Sequence, residues 1–84
     1  MSRKAKLYAK IAQNPGNVRY EELISLLKLC GYVLRSSGGG SHRWFVKKGY
    51  GPIHFPEHRP VKSVYIKQIL RILEENGSMD EDNE

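Results

Sequence analysis

A single cysteine in 84 residues excludes an intrachain disulfide and leaves no cysteine pair for a zinc site, so packing alone has to hold the fold. Long apolar runs are missing too. No stretch approaches the ~18 residues of a membrane span, and Met1-Ser2-Arg3-Lys4 leads into no apolar leader core, so a soluble, cytoplasmic protein is expected. Acidic residues are scarce over most of the chain. Residues 1–78 hold fourteen Lys and Arg against five Asp and Glu; the other four acids, Asp80, Glu81, Asp82 and Glu84, crowd the last six positions. The formal charge of +5 therefore understates the basicity of the part that folds. Such an excess draws polyanions by a long-range attraction blind to sequence, and it also keeps a small domain in solution.

What is present fits one domain, with residues 1–78 folded and 79–84 a polar, aperiodic tail expected to be disordered. Apolar residues recur at helical spacing in Ala5, Leu7, Tyr8, Ile11 and Ala12, which predicts a first helix over 3–13 with Lys4, Lys6 and Lys10 on its wet side. Pro15 ends it by forcing Asn14 out of helical geometry. Leu23, Leu26, Leu27 and Cys30 mark the buried stripe of a second helix from Glu21 to Cys30, with Gly31 placed as its terminating glycine. Three short strands follow, at 32–35, 42–47 and 53–55, the last bracketed by Pro52 and Pro56. Ile66, Ile69, Leu70 and Leu73, widened by Tyr65 and Ile72, give a final helix over 62–76. A three-stranded antiparallel sheet cannot bury its apolar side alone, so an α+β fold of order α-α-β-β-β-α is expected, with the helices on one face. No segment has a coiled-coil pattern, and oligomeric state stays open.

The segment Gly39-Gly40-Ser41-His42-Arg43-Trp44-Phe45 concentrates the chemistry. Glycine lets backbone N–H groups approach a ligand, and with the Ser41 hydroxyl they suit a phosphate; the sequence lacks the trailing Gly-Lys-Ser/Thr of a nucleotide-binding loop. His42 carries an imidazole, which near neutral pH accepts or donates a proton as RNA cleavage through the ribose 2′-hydroxyl requires. Arg43, Lys47 and Lys48 are cations available to non-bridging oxygens. Strand alternation points His42, Trp44 and Val46 one way and Arg43, Phe45 and Lys47 the other. One of Trp44 and Phe45 thus faces the helices, and parity alone does not choose. His42, His54 and His58 lack the spacing of a structural metal site, and Pro56 forbids the helix that would align the last two. His58 is placed to order the turn before the final helix or to assist at a phosphate. Lys62 opposes the dipole at that helix's start, which frees it for a ligand, and Lys67 with Arg71 offers a basic face.

Across residues 7–77 the chain resembles the HicA-type toxins of HicA–HicB toxin–antitoxin systems. The resemblance rests on Val18-Arg19-Tyr20-Glu21-Glu22-Leu23, Leu27 through Gly31-Tyr32, Arg35, Gly40-Ser41-His42, Phe55-Pro56-Glu57-His58 and Ile66-Lys67-Gln68-Ile69-Leu70. It implies a double-stranded-RNA-binding-domain-like fold, here with an extra N-terminal helix. It also implies a ribonuclease that cleaves mRNA without metal or other cofactor and is silenced by a HicB-like antitoxin. The family's catalytic histidine follows Gly-Ser, which is His42. Its Pro-x-His motif falls on Pro56 and His58, a supporting histidine. Many relatives carry a second histidine where this chain has Arg43. Two other readings stay open: a non-catalytic RNA-binding module, and a diverged, inactive member acting through a protein partner.

Overall fold

The computed structural model describes residues 2–36 and 42–80, and for Ser36, His42 and Arg43 the backbone only. The elements run α1 (Arg3–Gln13), α2 (Tyr20–Leu29), β1 (Val33–Ser36), β2 (His42–Val46), β3 (Ile53–Pro56) and α3 (Ser63–Glu75). The strands form one antiparallel sheet in the order β1-β2-β3, with the helices on one face, as expected.

Local chemistry fixes the boundaries. Ser2 Oγ accepts from the Ala5 N–H at 3.0 Å and caps α1. Glu22 Oε1 accepts from the Arg19 N–H at 3.0 Å at the start of α2. Its other oxygen pairs with Lys10 of α1 at 2.6 Å. The Lys10 ammonium first, and the Arg19 N–H second, hold the Glu22 carboxyl below the usual carboxylate range. Gly31, at φ 96°, ends α2 in the left-handed conformation. Its N–H donates to the Lys28 carbonyl and the Tyr32 N–H to the Leu27 carbonyl, both at 3.0 Å, so two orphan carbonyls are satisfied as the chain turns into β1.

The core lies between sheet and helices. Phe45 and Phe55, neighbours across β2 and β3, stack in parallel at 5.6 Å; Tyr20 of α2 meets Phe55 edge-on at 5.8 Å. Leu23, Leu26, Leu27 and Cys30 close over them from α2, and Ile66, Ile69, Leu70 and Leu73 from α3, as the helical stripes predict. Val18 and Val61 form an isolated bridge that clamps the entry of α2 to that of α3. Arg59 braces the same corner: it binds Glu21 at 2.8 Å, pairs with Glu57 and lies over the Tyr20 ring. The Arg59–Pro60 peptide bond is cis.

Two expectations need correction. Lys4 is not on the wet side: only 3% exposed, it donates through Nζ to the Ser78 carbonyl at 2.9 Å. The chain turns at Gly77 after α3 and returns beside the start of α1, where the ammonium donates to its backbone. Ile72 does not widen the buried stripe of α3; it is 40% exposed on the outer side. Of the expected tail, Met79 packs on the core with its sulfur 3.8 Å from the Cys30 thiol, while residues 81–84 lie outside the described residues. Burial first, and the Glu74 carboxylate second, push the Tyr8 phenol up to about 12, and its hydroxyl donates to Glu74 to tie α1 to α3. Among the described residues, no helix is long and apolar enough to cross a membrane.

Candidate nucleic-acid interface

The register of β2 against β3 joins the two distant pieces of sequence that carried the chemistry. His42 lies opposite Pro56, Arg43 opposite Phe55, Trp44 opposite His54 and Phe45 opposite Ile53. The backbone of His42 and the Pro56-Glu57-His58 segment therefore meet at one end of the sheet. Gly40 and Ser41 lie outside the described residues, as do the side chains of His42 and Arg43. His58 is exposed, and its Nδ1 donates to the Pro60 carbonyl at 2.8 Å; this holds the ring at the turn before α3 and leaves Nε2 for another partner.

The choice between Trp44 and Phe45 is settled by burial. Phe45 is fully buried under the helices, whereas Trp44 is half-buried and pairs with the exposed imidazole of His54 at 4.3 Å between ring centroids. Arg35 of β1 lies opposite Trp44 in register and is exposed. Alternation thus gathers Arg35, Trp44 and His54 on the face turned away from the helices, with Val33 (62% exposed) and Val46 at its margin. The sequence carries the signal for His54: Ile53 and Phe55 on either side are both core residues, so the residue between them faces outward.

The cations do not converge. Lys47 Nζ donates to the Cys30 carbonyl at 2.7 Å and to Ser78 Oγ at 3.4 Å, and it sits over the Tyr50 ring at 4.5 Å. It joins β2 to the end of α2. Lys48 is exposed in the turn beyond. Five residue steps along an extended strand span about 17 Å, so both stand at the far end of β2 from position 42. Lys62 is exposed at the entry of α3, close in sequence to His58. Lys67 and Arg71 lie on the outer side of α3, where Val64, Gln68 and Ile72 complete the lining of a shallow depression. Among the described residues no three His, Cys, Asp or Glu side chains converge on a metal position.

In comparison with known proteins, the family model for the HicA toxin of bacterial toxin–antitoxin systems matches residues 20–75, about two thirds of the chain. That span starts at the first residue of α2 and stops at the last of α3, so α1 lies outside it. No curated protein and no solved structure matches the chain.

Proposed function

Because the chain belongs to the HicA toxin family, we propose that it is a metal-independent endoribonuclease that cleaves mRNA with His42 as its acid–base residue. Membership itself supports the coarser statement, a toxin whose activity is directed at RNA; HicA toxins pair with HicB antitoxins. The observation that carries the finer reading is the register of His42 opposite Pro56, which sets the strand position of His42 beside the Pro-x-His segment.

In this reaction the His42 imidazole takes the proton of a ribose 2′-hydroxyl, and the freed oxygen attacks the adjacent phosphorus. The bond from phosphorus to the 5′-oxygen breaks, and that oxygen receives a proton from the charged imidazole. The products are a 2′,3′-cyclic phosphate and a 5′-hydroxyl. DNA, without a 2′-hydroxyl, is inert by this route. Arg43 neutralises charge on the phosphorane, while Gly40 and Ser41 supply N–H and hydroxyl donors. His58, through Nε2, and Lys62 hold the neighbouring phosphate at the entry of α3, and Lys67 extends the track along that helix. Lys48 serves only nucleotides further along the strand, whereas the Lys47 ammonium is engaged by the fold. A HicB-like antitoxin of acidic or apolar surface covers this end of the sheet in the cytoplasm.

The test incubates partner-free protein with end-labelled RNA beside His42→Ala and a chelator control. Wild type should leave cyclic-phosphate ends in the presence of chelator. The variant should lose at least the ~10²–10⁴-fold typical of an acid–base group while it keeps fold and RNA affinity. Cleavage by the variant at the wild-type rate would remove His42 from the mechanism. Salt-sensitive RNA retention without cleavage, at any excess of wild type, would favour the binding-module reading.

A further inference from the structure

Trp44 and His54 contribute nothing to the core that Phe45 and Phe55 fill on the opposite side of the same strands. They meet instead on the uncovered face, ring against ring at 4.3 Å and tilted by 32°. Arg35 stands beside Trp44 across the β1–β2 pairing, within the ~5 Å that separates cross-strand side-chain roots. A surface meant for an apolar protein partner would not set a guanidinium and an imidazole at its centre. The outer π face of this stacked pair, with a cation on the neighbouring strand, suits a ligand that has a flat ring and a negative backbone. The charge of the chain, +5 overall with four of its nine acids gathered at the end, favours the same ligand.

We propose that Trp44 and His54 form a stacking ledge for one unpaired RNA base, with Arg35 holding the adjoining phosphate. This rests on RNA being the ligand but does not require that the protein cleave it. The base has to be unpaired, because a duplex covers both faces of each base and presents only edges in its grooves. Trp44 also follows position 42 by two residues on one strand, about 6.8 Å along it, so the stacked base belongs to a nucleotide next to the scissile bond. The ledge thus selects single-stranded RNA and sets which linkage reaches His42.

Trp44 is the only tryptophan, so its fluorescence reports directly on the ledge. Full-length protein is titrated with a mixed-sequence 2′-O-methyl oligonucleotide, which cannot be cut through its blocked hydroxyls. Parallel titrations use the same oligonucleotide in duplex form and an abasic strand with the same number of phosphates. Saturable quenching by the single strand alone is expected. Read by the anisotropy of an end-labelled oligonucleotide, since position-44 variants carry no tryptophan, His54→Ala and Trp44→Thr should each weaken single-strand binding about tenfold, the size of one base stack, and leave abasic binding unchanged, while Trp44→Tyr should bind nearly as wild type. Equal quenching by the abasic strand, or equal losses for both strands, would overturn the ledge. So would a protein whose Trp44 emission responds to no oligonucleotide at physiological salt. Because no arm depends on cleavage, quenching without nuclease activity would refute the His42 chemistry and spare the ledge; cleavage without quenching would do the reverse.

Discussion

Lys47 illustrates how one residue's chemistry divides between fold and function. By composition it is one more cation on a basic strand, yet its ammonium is directed to the Cys30 carbonyl at the end of α2 and lies over the Tyr50 ring. A positive charge is favoured there because helix carbonyls carry the negative end of the dipole. Lys47→Met keeps the length of the side chain but removes the charge-assisted bond and the cation–π contact. The expected cost is about 1–3 kcal/mol in urea unfolding, with the rate of RNA cleavage per folded molecule unchanged. A stable variant with impaired cleavage would place Lys47 at the RNA instead. Lys4 follows the same logic at the other end of the chain, where its ammonium caps backbone that the helical pattern could not reveal.

At the scale of elements, α1 lies outside the matched span and is held by named ties. Lys10 binds Glu22, Tyr8 binds Glu74, and Leu7, Tyr8 and Ile11 pack on the core. The Glu22 carboxyl titrates lower in the folded protein than in the unfolded chain, so its stabilisation is present above the ordinary carboxylate pKa. It is lost as pH falls from about 4.5 through the lowered folded value. Glu22→Gln should flatten that acid limb of the stability curve by less than about 1 kcal/mol, as for a partly exposed pair, measured by urea melts from pH 6 downward. An unaltered limb would show that the pair contributes nothing. The helices and the three strands were legible in the sequence because Leu23, Leu26 and Leu27 repeat at helical spacing and Pro52, Pro56 and Gly31 punctuate sharply. Register was not. Nothing local to Trp44 or His54 says that they are neighbours; that follows from how the hairpin closes. Parity restricted Trp44 and Phe45 to opposite faces, and only packing against Phe55 in the core chose Phe45 for the inside.

For the whole molecule, the relevant quantity is which of fourteen basic side chains meet phosphate. Several are already engaged: Lys4 with Ser78, Lys10 with Glu22, Lys47 with Cys30, and Arg59 with Glu21 and Glu57. Arg35, Lys62 and Lys67 are exposed near the open face or along α3. Each cation that displaces counterions from single-stranded RNA steepens the fall of log affinity with log salt by about 0.7. Arg35→Gln, Lys62→Gln and Lys67→Gln should therefore each reduce the measured slope by about that amount, whereas Lys47→Met should weaken the fold and leave the slope unchanged. The slope counts contacts rather than stability, so it separates the two effects even where both lower affinity. A reduction on Lys47→Met with none on the other three would move the RNA path to the opposite end of β2, away from the Pro56–His58 turn, and His42 could then no longer be its chemical centre.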